Sequence, residues 1–176
     1  NIPIDSEAQK IDFETNRLLK SRGFARYEIS SYSLPGHASR HNRMYWSGSG
    51  WWGFGMGATS APWGERFSRP RTIAGYKKWL EQQEDQLLEK TLSNEKSKPM
   101  PLDELLMIGL RRREGVHLEE LAKDAGWTQK ECDTNLKSLE KFWLNSINEG
   151  SLLKNNGRFF LSDPKGMQIS NQILIQ

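Results

Sequence analysis

Apolar residues along this chain fall into helical stripes broken by short strand-like runs. Ile11, Thr15, Leu18 and Leu19 share one helical face behind the capping box Ser6-Glu7-Ala8-Gln9, and Gly23 supplies a stop. Tyr27 and Ile29 then favour a strand between Phe24 and Ser30. This is a helix-to-strand unit, half of a βα repeat. One such unit cannot bury both its faces, so the chain reads as a fragment of something longer with exposed apolar surface. Further on, Thr72 caps a helix with Tyr76, Trp79, Leu80, Leu87 and Leu88 on its inner side.

The pattern after residue 101 is more regular. Leu102, Leu105, Leu106, Gly109 and Leu110 form one stripe; Leu118, Leu121, Ala122 and Ala125 form a second, ended by Gly126. Thr128 to Glu131 is another capping box, before a third stripe of Cys132, Leu136, Leu139 and Trp143. Asn155-Asn156-Gly157 between Leu152-Leu153-Lys154 and Arg158-Phe159-Phe160-Leu161 predicts a hairpin, and Asp163-Pro164 opens a last helix through Ile173. This order predicts a winged-helix-like module. The polar stretch 93–101 reads as a linker between residues 1–92 and 102–176. Residues 31–71, with seven glycines, three prolines and four tryptophans, read as a long irregular region of the kind that often carries function.

Composition narrows the classes. A net charge of +3 over 176 residues exerts no strong pull on nucleic acid, and Lys130, Glu131, Asp133, Lys137, Glu140 and Lys141 on the third helix balance in sign. No apolar run approaches ~20 residues, so no membrane span is expected. The N-terminus has no basic, apolar leader pattern, and a lone Cys132 fits a reducing, cytoplasmic setting. Cys132 lies on an apolar stripe and reads as a structural thiol. Arg111-Arg112-Arg113 reads as a helix end and His117 as a surface or capping residue.

Candidate chemistry concentrates in Arg40-His41-Asn42-Arg43-Met44-Tyr45-Trp46, followed nine residues on by Gly55-Met56-Gly57-Ala58. A ligating histidine or thioether, aromatic walls and arginines suit a large, planar, anionic molecule such as heme. For His41 a hydrogen bond to a loop carbonyl is the other reading. His37 and His41 have the spacing of a helical metal pair, but Pro35-Gly36 argues for a loop and no third ligand is evident. Trp46, Trp51, Trp52 and Trp63 can wall a ligand or pack an interface. The alternating glycines of 53–58 lack a phosphate-loop spacing and predict a strand approached closely by a ligand or backbone.

Tyr27-Glu28-Ile29-Ser30, Pro35-Gly36, Arg40-His41-Asn42 with Tyr45-Trp46, and Gly55-Met56-Gly57-Ala58 resemble the radical SAM heme-chaperone family HemW, relatives of oxygen-independent coproporphyrinogen III oxidase. The resemblance extends through Leu110 to Gly115 and ends at Gly166, Ser170-Asn171 and Ile173-Leu174, so it covers nearly all of this chain but only the C-terminal half of a family member. It implies an α/β plus α+β architecture: the remnant of a partial (β/α) barrel, then a winged-helix-like accessory domain. It implies heme binding by Arg40, His41, Asn42, Arg43, Tyr45 and Trp46, with His41 on the iron, and delivery to heme-accepting proteins or self-association. Tyr32, Ser33, Gly55, Gly57 and Ala58 would line the S-adenosylmethionine side. The family's C-x-x-x-C-x-x-C cluster motif is absent here, so neither a [4Fe–4S] cluster nor S-adenosylmethionine cleavage is expected of this chain alone. Tyr32-Ser33 stands where the family usually has Phe-Ala, and Ser39 where cysteine is frequent. The alternatives are part of a coproporphyrinogen dehydrogenase, or a winged-helix interaction module.

Overall fold

The computed structural model describes residues 5–62, 66–92 and 99–174. Trp63 and residues 93–98 of the expected linker lie outside them, as do the side chains of Leu87 and Leu88. Packing divides the chain into two units, one holding the described residues up to Ser47 and from Pro101 onward, the other Gly48 to Met100. The first segment therefore groups with the last, rather than with residues 48–92.

Helix α1 spans Asp5–Ser21 and already includes Ser6, which is therefore not its cap. The helix closes where Gly23 turns at φ +81° and the Phe24 N–H donates to the Leu19 carbonyl. Strand β1 (Ala25–Glu28) pairs antiparallel with β2 (Ser31–Ser33), so its neighbour within this chain is a hairpin partner and not a parallel crossover strand. Its other edge takes up residues 111–113: the Ile29 N–H donates to Arg111 and the Arg113 N–H to Tyr27. That ladder joins the first segment to the last. The three arginines thus follow the preceding helix in a turn, with Arg112 in an isolated antiparallel bridge to Glu28. Helix α2 (Arg40–Trp46) gives order to a region expected to be irregular.

In the second unit, β3 (Thr59–Ser60) pairs antiparallel with β4 (Phe67–Ser68), and α3 runs Ile73–Leu92. Thr72 Oγ1 accepts from the Gly75 N–H, as a cap should, and Tyr76, Trp79 and Leu80 are half-buried. Arg69 is buried among aromatics, 5.0 Å from the Trp79 ring centroid and donating to Ser60 Oγ at 2.7 Å.

The rest of the first unit begins with α4 (Leu102–Gly109), β5 (Val116–His117), α5 (Leu118–Asp124) and α6 (Gln129–Phe142). It continues with α7 (Leu144–Asn148), β6 (Leu152–Asn155), β7 (Arg158–Leu161), α8 (Lys165–Gln168) and α9 (Ser170–Leu174). The expected single last helix is broken at Ile169. Thr128 and Glu131 form the expected capping box on α6. Asn156 and Gly157 take positive φ in the two-residue turn between β6 and β7, the backbone that an Asn-Gly hairpin requires. The three strands lie in the order β5-β7-β6, all antiparallel. Leu106, Leu110, Val116, Cys132, Trp143, Leu152, Phe159 and Met167 belong to one buried cluster beneath them. None of the described helices is long and apolar enough to cross a membrane.

Much of the apolar face of α1 is exposed, in line with the exposed apolar surface expected of a single helix-to-strand unit. Ile11 and Leu18 are 58% and 57% exposed, whereas Asn16 is buried. The neighbour α1 meets in this unit is polar, so the amide rather than the apolar stripe turns toward it.

Candidate functional site

The seven-residue motif folds as α2 because Ser39 caps it. The Ser39 Oγ accepts from the Asn42 N–H at 3.3 Å. The inner side of this helix is fixed by three contacts. Asn42 Nδ2 donates to Tyr27 Oη at 3.3 Å, Arg43 pairs with Glu114 at 2.6 Å, and the Arg111 guanidinium lies 4.6 Å from the Trp46 ring centroid. Tyr45 and Trp46 meet edge to face at 4.9 Å, both half-buried. Arg40, His41 and Met44 face outward and are exposed.

Helical spacing puts His41 one turn before Tyr45 and beside Met44. No hydrogen bond or ion pair holds the His41 ring or the Arg40 guanidinium among the described residues, so the loop-carbonyl reading of His41 finds no partner there. Arg43, by contrast, is already engaged. His37 is exposed in the loop before the helix, and no group of three or more His, Cys, Asp or Glu side chains is gathered for a metal among the described residues.

The glycine motif belongs to the second unit and is not a strand. Gly55 and Gly57 turn at φ +89° and +69°, and the Ala58 N–H donates back to Gly55. Close backbone approach occurs instead at Gly50 and Gly53, where a Cβ would come within 2.5 Å of the Pro62 carbonyl and 2.3 Å of the Thr59 carbonyl. These glycines therefore serve turn geometry and backbone packing. Trp52, Phe54 and Met56 are exposed around them.

Tyr32 and Ser33 lie on β2. The Tyr32 hydroxyl accepts from Arg26 Nε at 2.7 Å and from its Nη2. Arg26, only 1% exposed, also donates to Asp12 at 2.6 Å. Burial alone would lower the Arg26 pKa; its hydrogen bonds to Tyr32 and Asp12 outweigh that and raise it. Asn16 donates to Asp163 at 2.7 Å, and Lys20 pairs with Asp163 at 2.8 Å. Gln168 closes the group by donating to Asp12 at 3.0 Å. A cleft of about 720 Å³ opens beside it, lined in part by Ile11, Asp12, Arg26, Tyr32 and Gln172.

Sequence reasoning passed over this network. The alternation Arg26-Tyr27-Glu28-Ile29 assigns the two charged residues to solvent, yet each is 1% exposed. The only signal would have been long-range pairing with Asp12 and Asp163, which no local pattern carries.

The donor set fits heme in one respect: an unengaged imidazole beside aromatic rings and an unpaired arginine. It does not fit a [4Fe–4S] cluster, because the one cysteine, Cys132, is buried in the helical core.

No protein-family model matches the chain, and no solved structure matches it. Relatives do. Over 167 residues the chain is 39% identical to a protein of Synechocystis named heme chaperone HemW, covering 89% of this chain and 40% of that protein. It is 25% identical over 175 residues to the Bacillus subtilis protein of the same name, covering 97% of this chain and 42% of the relative. It is 27% identical over 168 residues to a zebrafish (Danio rerio) protein named radical S-adenosyl methionine domain-containing protein 1, mitochondrial, covering 34% of it. These relatives are named as heme chaperones and as a radical S-adenosylmethionine domain protein. The chain matches the C-terminal part of HemW. It spans about two fifths of the length of these HemW relatives.

Proposed function

We propose that this chain is the heme-handling part of a HemW-type chaperone, with α2 as the element that meets the cargo. The observation that carries this reading is the state of His41: an exposed imidazole on a capped, anchored helix, with no hydrogen-bond or ion-pair partner among the described residues. In this reading His41 ligates the iron, Tyr45 and Trp46 wall the macrocycle, and Arg40 meets a propionate. Asn42 and Arg43 hold the helix in place through Tyr27 and Glu114. The bound heme is passed to heme-accepting proteins in the cytoplasm.

In this reading residues 1–92 correspond to the remnant of a partial radical SAM barrel. Cluster and S-adenosylmethionine chemistry belong to the full-length protein. Residues 102–176 form a winged-helix-like accessory domain; the helix–strand–helix–helix–hairpin order and the β5-β7-β6 sheet support this. That topology also favours a second reading, a winged-helix interaction module. The acid–base balance of α6, where Glu140 already pairs with Lys154 at 2.6 Å, favours a protein over a nucleic-acid partner.

The test is a heme titration of the chain and of His41→Ala, followed at the Soret band. Saturable binding that weakens or shifts in the variant supports the reading. Identical spectra for both reject His41 as the ligand.

A further inference from the structure

Five arginines, Arg43, Arg111, Arg112, Arg113 and Arg158, lie about the inner flank of α2 and the start of β5, and among the described residues one carboxylate, Glu114, pairs with any of them. Arg43 pairs with Glu114 at 2.6 Å, and Arg158 Nη1 lies 3.4 Å from the Glu114 and Gly115 carbonyl oxygens. Among the described residues Arg40 has no ion pair, and the Arg111 guanidinium lies over the Trp46 ring with its Nε buried and unpartnered. Arg112 and Arg113 make no side-chain hydrogen bond or ion pair among the described residues, and the Arg112 Nε is buried without a partner. The nearby Glu28 carboxylate is buried on β1 and forms no ion pair with them; its Oε1 accepts from Ser30.

Arg112 is half-buried, and like charges held close together with a single counterion among them are costly. The Arg112 pKa lies below its ordinary value, first because of burial and then because Arg43 and Arg158 repel it, with only Glu114 opposing. Beside this cluster runs a groove of about 380 Å³ whose walls include Tyr27, Leu34, Pro35, Arg43 and Arg113. An apolar wall edged by the unpaired Arg113 and by the exposed Arg43–Glu114 pair suits an apolar ligand carrying carboxylates, which can match the guanidinium fork and take over Arg43 from Glu114.

We infer that Arg112 and Arg113, with Arg43 and Arg158, form a carboxylate subsite for the tetrapyrrole, distinct from the outward face that carries His41. The inference rests on the heme reading above and adds Arg112, Arg113 and Arg158, which that reading does not use. It predicts that the acid groups of the macrocycle, and not the iron, are read on this flank.

Metal-free protoporphyrin isolates the question from iron ligation. Its binding to the full chain, followed by porphyrin fluorescence, is compared with that of its dimethyl ester. The free acid should bind about tenfold more tightly than the ester. That preference should fall toward unity in Arg112→Gln and in Arg113→Glu. Arg113 is exposed and unpaired, so the second substitution tests the charge without disturbing the core. His41→Ala should keep the preference, so loss of the iron ligand and loss of this subsite separate cleanly. Equal binding of acid and ester by the parent overturns the inference. So does a preference that survives both arginine substitutions.

Discussion

Replacing Arg26 by methionine removes the centre of the polar network while keeping most of its volume. Charge-assisted hydrogen bonds to two partners are lost, to Asp12 at 2.6 Å and to the Tyr32 hydroxyl, which accepts from Nε at 2.7 Å and also from Nη2. Each of the two partners accounts for about 1.5–3 kcal/mol. Asp12 retains 34% side-chain exposure, so water recovers part of its loss, and the lower end of that range applies. Asp163, 3.6 Å from Arg26 Nε, keeps Asn16 and Lys20 as partners. The methionine fills the site, so no large cavity term is added. The expected cost is about 3 kcal/mol, or a fall in melting temperature of about 6–12 °C for a chain of this size. Thermal unfolding followed by circular dichroism measures it. A second variant, Asp12→Asn, completes a double-mutant cycle whose coupling should be about 1–3 kcal/mol. A fall of less than about 2 °C, or additive single and double variants, would refute the claim that this buried ion pair joins α1 to β1.

Ser39→Ala should cost about 1 kcal/mol by uncapping α2, read as faster amide hydrogen exchange in residues 42–45 with little change on α6. Gly166→Ala should destabilise by at least about 2 kcal/mol in urea unfolding, because its Cβ would fall 1.9 Å from the Ser151 carbonyl oxygen. Glu131 has a pKa held below the usual carboxylate value by hydrogen bonds from the Thr128 side chain and backbone. Its capping contribution is therefore present above the unfolded carboxylate pKa and is lost as pH falls through the lower folded value. The stability difference between the parent and Glu131→Ala should shrink over that acidic interval. A difference unchanged by acid would contradict the capping assignment.

The arginine-rich flank of α2 and the polar network around Arg26 answer the same problem differently. Around Arg26 the charges are closed by Asp12, and Asp163 lies near. Around Arg112 they are not. A closed network stabilises and carries little information about ligands. An open one costs free energy in the unliganded chain, and that cost is recovered when an anion binds. This contrast is the physical reason for assigning the second cluster, and not the first, to recognition.

Local patterns were enough for the module after residue 101. The stripes of α4, α5 and α6, the capping box at Thr128 and the Asn156-Gly157 turn are short-range features, and each is set by its own residues and near neighbours. The same holds for the motif of α2, whose cap and aromatic pair lie within eight residues of one another. Other features depended on residues far apart in the chain. Ile11 and Leu18 carry the period of an inward face, yet Asn16 is the α1 residue that turns inward, because its partner is Asp163. Arg26 and Glu28 alternate like a solvent face, yet both are buried once residues 111–113 pair along β1. Gly55 and Gly57 resemble a bare strand, but their positive φ makes a turn, and the Gly57 N–H donates to the Pro70 carbonyl. Periodicity states which residues share a side of an element. Which side meets water, and which charges meet each other, is decided only when distant segments pack, because burial and ion pairing are properties of the assembled neighbourhood rather than of the local chain.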